Sequence, residues 1–245
     1  MLAIIGGTGL TQLSNLDVSR RQVVRTPFGE PSGPLTFGSI RGIPVVFLAR
    51  HGYGHTIPPH QVNYRANIWA LREQGIRRIV SVASVGGIRA ALGPGKLVVP
   101  HQLVDYTWGR AMTFFESEAP VKHIDFTEPY SGSLRKEILG AAKACKEEIA
   151  DGAVYAATQG PRLESAAEID RLERDGADIV GMTGMPEAAL ARELELEYAA
   201  IAVVVNHAAG RADSAHGIKL QGIEDVLKDA MGRVRKIIEQ LVARQ

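Results

Sequence analysis

The stretch Leu2-Ala-Ile-Ile-Gly-Gly-Thr-Gly9 runs from four apolar residues straight into a glycine turn. Such an apolar run predicts a strand that is buried on both faces, as in a parallel sheet covered by helices. Glycine accepts positive φ angles and lets backbone N–H groups approach an anion, and Thr8 adds a hydroxyl donor. Gln12 stands where a dinucleotide-binding fingerprint has its third glycine. The stretch therefore predicts an α/β fold whose first strand ends at either an anion site or a plain tight turn.

Short apolar runs and amphipathic segments alternate along the rest of the chain. The predicted strands are Leu2–Ile5, Val45–Ala49, Ile79–Ala83, Leu97–Val99, Val154–Thr158, Ile179–Gly181 and Ala200–Val205. The predicted helices are Asn63–Gln74, Ser133–Lys146, Glu164–Asp175, Pro186–Leu194 and a last helix with an apolar stripe from Ile223 to Leu241. This alternation indicates one α/β domain over residues 1–245, with a central, mostly parallel mixed sheet flanked by helices. Ligands of such sheets bind at the carboxyl ends of the strands.

The composition is that of an ordinary globular protein, and it excludes several classes of site. The 245 residues include 28 Lys and Arg against 27 Asp and Glu, a formal charge of +1 at pH 7. So weak a charge argues against nucleic acid or an anionic membrane as the main partner. The single cysteine, Cys145, excludes an intrachain disulfide. There is no signal-peptide pattern, and the longest apolar run, Tyr198–Val205, is shorter than the roughly 18–20 residues of a membrane span. We therefore expect a cytoplasmic protein.

Three further predicted strands end at groups suited to an anion. Arg50 and His51 follow Val45–Ala49, and arginine binds phosphate or carboxylate through a planar pair of N–H groups. Ser84 lies where another strand runs into two glycines, and Thr183 precedes a predicted helix N-terminus, a favourable position for an anion. Because the carboxyl ends of parallel strands meet at one edge of a sheet, these four strand ends predict one bound oxyanion.

Metal-dependent and covalent catalysis are not predicted. His51, His55 and His60 fall within ten residues, but no acidic residue lies among them and no zinc-binding spacing occurs. The Gly-x-Ser-x-Gly motif of serine hydrolases is absent from the sequence. The sequence therefore favours a reaction that takes place around a bound anion, without a metal ion or a covalent intermediate.

Five blocks along the chain resemble those of the trimeric purine nucleoside phosphorylases, above all the methylthioadenosine and methylthioinosine phosphorylases. They are Gly6–Gly9, Arg50–Gly52 with His55, Asn63–Leu71, Gly160–Glu164 and Gly181–Glu187, in the same order as in that family. The resemblance implies a single nucleoside phosphorylase domain, a homotrimer and pentosyltransferase activity in purine salvage. In this reaction inorganic phosphate, a co-substrate, attacks the anomeric carbon of a purine nucleoside, and no cofactor takes part.

The resemblance also assigns roles to residues at matching positions. It implies that phosphate is bound by Thr8, Arg50, His51, Ser84 and Thr183, and that the catalytic residues are Asn206, Arg50 and His51. It implies a nucleoside site of Met182, Leu163, Glu164, Asn206, Ala208, His55, His123, Ile223, Val226 and Leu227. Within this set, Met182 lines the ribose, and His55 and His123 lie near the 5′ end, with His123 from a neighbouring subunit. Ala83 departs from the family, where Thr or Asn is common, so one phosphate contact is missing and Ser84 replaces it only in part.

Two positions bear on the choice of purine. Family members that act on 6-aminopurines carry Asp-x-Asp where this chain has Asn206-His207-Ala208. An Asn amide donates to a 6-oxo oxygen, whereas a carboxylate would repel it. Glu164 matches the glutamate that accepts the N1 proton of 6-oxopurines, and adenine lacks that proton. A buried unpaired polar group costs about 1–3 kcal/mol, so we expect hypoxanthine to be preferred over adenine.

The start of the last predicted helix bears on the 5′ substituent. Phosphorylases of ordinary 6-oxopurine nucleosides place a histidine there to bind the 5′-hydroxyl, and this chain has Ile223, with Val226 and Leu227 nearby. An apolar wall favours a methylthio group, although the same three residues also fit the apolar stripe of the helix.

Together these features predict phosphorolysis of S-methyl-5′-thioinosine to hypoxanthine and 5-methylthioribose 1-phosphate. The alternatives are a methylthioadenosine phosphorylase, a general 6-oxopurine nucleoside phosphorylase and a non-catalytic nucleoside-binding protein. Whether Asp213, Ser214 and His216 form a closing loop is left open by the sequence.

Overall fold

The structure, a computed structural model, describes residues 1–116, 120–219 and 222–244. The strands in this part are β1 Leu2–Gly6, β2 Asp17–Gln22, β3 Leu35–Ile40, β4 Ile43–Ala49, β5 Arg78–Gly87, β6 Leu97–Val99, β7 Gln102–Asp105, β8 Ala150–Asp151, β9 Val154–Ala157, β10 Ile179–Gly181 and β11 Glu197–His207. The α-helices are α1 Tyr64–Glu73, α2 Gly132–Ala144, α3 Ala166–Arg174, α4 Glu187–Glu193 and α5 Ile223–Val242, and Pro59–Gln61 and Ala212–Ser214 form short 3-10 turns. None of the described helices is both long and apolar enough to span a membrane.

All the described strands belong to one mixed sheet. Its main path runs β2-β3-β4-β1-β5-β10-β9-β7, while β11 pairs with β5 and β6, and β6 pairs with β8. The central strand β1 is parallel to both β4 and β5, and β11 is parallel to β5 along its length. Antiparallel pairs join β2 to β3, β3 to β4, β5 to β10 and β6 to β11. The predicted central, mostly parallel mixed sheet is therefore confirmed.

The side chains of β1 show why its sequence is apolar throughout. Leu2 and Ile4 pack into one core layer, which also contains the buried residues of α2 and α5. Ala3 and Ile5 point to the other face of the sheet, into a layer that includes α1 and α4. Each fully buried aliphatic side chain contributes about 1.5–3 kcal/mol relative to exposure, so both layers favour this strand at the centre.

Every predicted strand and helix is present, with differences at their ends. The sequence analysis missed β2, β3, β7 and β8; β2 was hidden because its residues Asp17–Gln22 are polar and mostly exposed. The predicted helix Glu164–Asp175 is corrected at its start. Ser165 caps α3 in a capping box with Glu168, so Glu164 lies outside the helix and is free for another role.

Four strand ends meet at one place in the sheet. The turn after β1 packs against the end of β4, where the Arg50 backbone N–H donates to the Gly6 carbonyl at 2.9 Å. Strand β10 runs antiparallel to β5, with its first residue Ile179 paired with Gly87 and Val180 paired with Gly86, so the chain that leaves β10 reaches the same cavity as Ser84 from the opposite direction. The predicted convergence of carboxyl ends is therefore present for the parallel strands β1, β4 and β5, and it is corrected for β10, which brings Thr183 to the same cavity from an antiparallel strand.

Gly6 is required by close packing at this convergence. A Cβ on Gly6 would stand 2.0 Å from the Leu10 carbonyl oxygen and 2.8 Å from the Phe47 ring, whereas one on Gly232, in α5, would meet nothing within 4 Å. We expect Gly6→Ala to lower the free energy of unfolding by about 1–3 kcal/mol. Gly232→Ala, the matched control, should raise it by about 0.5–1 kcal/mol, because alanine favours helix. Urea denaturation measures both changes, and equal effects would contradict the packing argument.

Candidate active site

A cavity of about 570 Å³ lies where the four strand ends meet. It brings together most residues predicted for the site. Its lining includes Thr8, Arg50, His51, His55, Ala83, Ser84, Leu163, Glu164, Met182, Thr183, Asn206, Ala208 and Ile223, and also Ile218, which the sequence analysis did not single out. The groups suited to an anion and those suited to a purine therefore share one cavity.

Arg50 lines this cavity and forms a salt bridge with Glu187, to which the sequence alone assigned no role. Its Nε donates to Glu187 Oε2 at 2.6 Å and its Nη2 to Glu187 Oε1 at 2.8 Å, and both side chains are fully buried. Burial lowers the pKa of Arg50, but the charge and hydrogen bonds of Glu187 outweigh it and keep that pKa above its ordinary value. The planar pair of N–H groups that was expected to take phosphate therefore binds a carboxylate.

Most of the remaining N–H groups of Arg50 also donate hydrogen bonds within the protein. Nη2 also donates to the Ser81 hydroxyl at 2.6 Å, and Nη1 donates to the Val82 carbonyl at 3.0 Å. Guanidinium has five N–H groups, and these contacts use four of them. The fifth is on Nη1, which would lie 2.9 Å from a Cβ on Gly7. Arg50 thus has one N–H group left for an anion, next to the glycine turn.

His51 is a neutral side chain with a defined tautomer. Its Nδ1 lies 2.8 Å from the Ile57 carbonyl oxygen, so Nδ1 carries the proton and donates. Burial, and next the charge of Arg50, lower the pKa of His51 to about 4. In this state Nε2 is an acceptor, suited to a hydroxyl donor rather than to a charged oxygen.

Three hydroxyl groups surround the same end of the cavity. Ser84 Oγ donates to the Thr8 carbonyl at 3.2 Å, which fixes the glycine turn against β5. Thr8 Oγ1 lies 3.4 Å from His55 Nε2, and the Thr183 backbone N–H reaches the Tyr155 hydroxyl at 3.4 Å. These are neutral hydrogen-bonding groups, so this end of the cavity offers dipoles more than net charge.

The other end of the cavity presents a carboxylate and an amide. Thr158 Oγ1 donates to Glu164 Oε1 at 2.6 Å, which fixes that carboxylate at the cavity wall. Asn206 Nδ2 donates to the His207 carbonyl at 2.6 Å and retains a second N–H group and its own oxygen. An acceptor and a donor therefore lie at this end, as the recognition of a 6-oxopurine requires.

Asn206 reaches the cavity because β11 contains an irregularity. The pairing of β11 with β5 shifts register between Val204 and Asn206, which leaves Val205 without a partner. Such a bulge changes the direction of the side chains that follow it. No pattern in the sequence marks this position, so the orientation of Asn206 was not predictable from alternation.

Arg110 was also missed, and it holds two loops of the site together. It is nine-tenths buried, and Nη1 donates to the carbonyls of Met182 at 2.9 Å and Met185 at 2.6 Å. Nη2 donates to the Gln159 carbonyl at 2.9 Å. Within the described residues these partners are neutral, and no carboxylate forms a salt bridge with Arg110. Arg110 thereby joins the loop that carries Thr183 to the loop that leads to Glu164.

The predicted 5′ wall is corrected in part. Ile223 lines the cavity, but Val226 and Leu227 do not. Leu227 is buried and packs against the glycine turn, where a Cβ on Gly9 would stand 3.1 Å from its Cδ2. It belongs to the apolar stripe of α5, the alternative that the sequence left open. Ile218 supplies the second apolar residue instead.

The predicted site residue His123 and the segment of Asp213, whose role the sequence leaves open, are not among the residues that line the cavity. His123 is exposed and does not line the cavity of this single chain. His207 Nδ1 lies 2.5 Å from Asp213 Oδ1, which ties the last residue of β11 to the 3-10 turn Ala212–Ser214. Among the described residues, no group of three or more His, Cys, Asp and Glu side chains is placed to hold a metal ion.

Known proteins resemble the chain over nearly its whole length. The sequence model of the phosphorylase superfamily matches residues 1–243. A protein of Pseudomonas syringae pv. tomato, named probable S-methyl-5′-thioinosine phosphorylase, is 55% identical over 242 residues, 98% of each chain. The 6-oxopurine nucleoside phosphorylase of Pyrococcus furiosus is 45% identical over 215 residues, 85% of this chain and 80% of its own. Methylthioadenosine phosphorylase from Schistosoma mansoni, in complex with adenine, has a TM-score of 0.93 at 32% identity, covering 99% of this chain and 90% of its own.

The lowered pKa of His51 has a consequence for stability. Because the folded value is about 4 and the ordinary value is 6.5, the unfolded chain binds more protons between these pH values. The contribution of His51 to stability is therefore fully present above about pH 6.5 and is lost as the pH falls towards 4. Solvent screening reduces the effect to about 2 kcal/mol.

His51→Asn keeps a donor for the Ile57 carbonyl and removes the titration. We expect its free energy of unfolding, measured in urea at several pH values, to fall less steeply with acidification than that of the original chain. Parallel curves for the two proteins would show that His51 titrates normally.

Proposed function

The chain belongs to the phosphorylase superfamily, and from this premise we propose that it cleaves S-methyl-5′-thioinosine with inorganic phosphate. The products are hypoxanthine and 5-methylthioribose 1-phosphate, so the enzyme is a pentosyltransferase of purine salvage. One observation carries this proposal: a single cavity holds anion-binding strand ends, a carboxylate with an amide, and an apolar wall. The 55% identical Pseudomonas relative bears the name of the same activity.

The reaction exchanges one bond at the sugar. A phosphate oxygen forms a bond to the anomeric carbon while the bond from that carbon to the purine nitrogen breaks. The electron pair of the broken bond stays on the purine, which takes up the proton that hydrogenphosphate loses as it becomes the phosphate ester. Because the sugar becomes cation-like in the transition state, the site must keep an anion below it and accept charge on the base above it.

We assign the phosphate end to Thr8, Arg50, His51, Ser84 and Thr183. The single N–H group left on Arg50 Nη1 and the Thr8 and Thr183 hydroxyls supply donors, and His51 Nε2 accepts from the phosphate hydroxyl. No cofactor is needed, since phosphate itself is the nucleophile and the purine is the leaving group. The reaction thus depends on positioning and electrostatics.

We assign the base end to Glu164 and Asn206. The Glu164 carboxylate, which Thr158 orients, accepts the N1 proton of hypoxanthine, and the second N–H group of Asn206 donates to the base. Adenine would place its N1 acceptor against the carboxylate acceptor. Since an unpaired buried polar group costs about 1–3 kcal/mol, the 6-oxopurine is favoured by about tenfold to a hundredfold.

We assign the 5′ end to Ile218 and Ile223, with Met182 at the ribose. Two isoleucine side chains bury the apolar surface of a methylthio group, whereas a 5′-hydroxyl would lose this apolar contact. This difference favours methylthioinosine over inosine.

We further propose that the enzyme is a homotrimer located in the cytoplasm, as in the family that its sequence resembles. Trp108 is 72% exposed and Leu163, at the cavity, is 44% exposed, so a second copy has apolar surface to cover. His123 of a neighbouring copy then completes the 5′ end. Sedimentation equilibrium measures the assembly directly, and a monomer would contradict this proposal.

The central test compares four nucleosides under the same conditions. We expect release of hypoxanthine from methylthioinosine only when phosphate is present, with kcat/KM at least about tenfold above those for methylthioadenosine and inosine, and adenosine the poorest. Chromatography of the released base measures each rate. Equal cleavage of methylthioadenosine would favour a methylthioadenosine phosphorylase, and equal cleavage of inosine a general 6-oxopurine phosphorylase. Ligand binding without turnover would favour a non-catalytic binding protein.

A substitution at Asn206 tests how the base is selected. Asn206→Asp replaces a donor by an acceptor, so we expect the ratio of kcat/KM for methylthioadenosine to that for methylthioinosine to rise at least about tenfold. Asn206→Ala is the control, because it removes the donor without introducing an acceptor. It should lower the kcat/KM for both nucleosides. An unchanged ratio in Asn206→Asp would place base recognition elsewhere.

A further inference from the structure

We propose that Glu187 is a positioning residue that sets the charge at the phosphate end of the cavity. It holds Arg50 and cancels the guanidinium charge, so that bound phosphate keeps its own negative charge and directs it to the sugar. This proposal rests on the proposed function, since it concerns the same phosphate and the same sugar.

Glu187 is held by three hydrogen-bond donors. Its two oxygens accept from Arg50 Nε and Nη2, and the Tyr198 hydroxyl donates to Oε1 at 2.8 Å. Each of these three contacts brings a donor to the side chain, which is the arrangement of an ionised carboxylate. Glu187 is 0% exposed, so this charge acts without screening by water.

The charged side chains at the phosphate end of the cavity balance one another. Arg50 is the only lysine or arginine among the described residues that line the cavity. Its charge is matched by Glu187, and His51 is neutral near pH 7 because its pKa lies at about 4. The charges of Arg50 and Glu187 therefore cancel, and His51 adds none, although this end binds an anion.

This balance of charge affects how phosphate stabilises the sugar during the reaction. A cation-like sugar is stabilised by negative charge beside it, and that charge comes from phosphate. An uncompensated guanidinium would bind phosphate more tightly, but it would draw the negative charge away from the sugar. Tight binding of the nucleophile in the ground state does not accelerate the reaction. Glu187 thus weakens the binding of phosphate and raises the rate at which the bond from the sugar to the purine breaks.

Glu187→Gln tests both effects because it removes the charge of the side chain and keeps its shape. We expect the Kd for inorganic phosphate, measured by calorimetry without nucleoside, to fall at least about tenfold, and kcat with methylthioinosine to fall at least about tenfold. The melting temperature without ligand should fall, and the rise caused by phosphate should exceed that of the original enzyme. Glu195→Gln, an exposed residue just beyond the same helix, is the matched control and should change none of these values.

A purely structural role for Glu187 predicts a different result. Phosphate binding would then weaken or stay unchanged in a folded Glu187→Gln protein, and either outcome would overturn the proposal. Because phosphate binding is measured without nucleoside, it remains informative even if the enzyme proves to act on another substrate. Failure of the four-nucleoside comparison would overturn the proposed function alone.

A measurement on the unaltered enzyme covers the case in which Glu187→Gln does not fold. A site without net charge exerts little long-range attraction on a dianion, so KM for phosphate should change less than about threefold between 0.05 and 0.5 M KCl, approximate concentrations that span strong changes in screening. A KM that rises at least about tenfold over this range would mean that the site carries net positive charge, and the proposal would be wrong.

Discussion

The buried ion pair of Arg50 with Glu187 joins two parts of the molecule that the chain keeps far apart. Arg50 follows β4, and Glu187 begins α4 after the loop that carries Met182 and Thr183. Loss of one partner from such a pair leaves an unpaired buried charge, which costs about 3–5 kcal/mol. The pair therefore fixes the end of β4 relative to the end of β10, and the cavity between them has a defined width. The other contacts at the phosphate end, from Ser81, Val82 and the glycine turn, depend on this fixed guanidinium.

The fold was predictable to the extent that burial leaves a pattern in the sequence. Strands covered on both faces are apolar throughout, and the helices carry one apolar stripe, so these elements were identified. Strand β2 lies at an edge and is exposed, so its polar residues gave no such signal. The ends of the parallel strands β1, β4 and β5 also predicted one cavity, whereas the antiparallel direction of β10, which brings Thr183 there, left no signal in the sequence. Glu187 could not be found this way: an acidic residue in the first turn of a helix is common, and only the tertiary structure shows that it is buried against Arg50.

Leu227 and Asn206 illustrate two other limits. Leu227 fits both an apolar stripe and a cavity wall, and the sequence alone does not distinguish them; packing against the glycine turn decides for the core. Asn206 follows a break in the alternation of β11, so counting residues along the strand does not give the direction of its side chain. In both cases the position along the chain was correct, and the missing information was rotation about the axis of the element. Rotation is set by neighbours that lie far away in sequence.

Arg110 shows how the two ends of the cavity are coupled. Its guanidinium donates to the carbonyls of Met182 and Met185 and to that of Gln159. A single side chain therefore holds the loop that carries Met182, here called the ribose loop, and the loop that leads from Gln159 to Glu164, here called the base loop. Gly160 lies in close contact with Met182, since a Cβ there would stand 2.4 Å from its sulfur. A change that moves the base loop must therefore also move the ribose loop. The position of the loop that leads to Glu164 is consequently coupled to that of the Met182 segment through Arg110, whereas the direction of Asn206 is set separately by the bulge in β11.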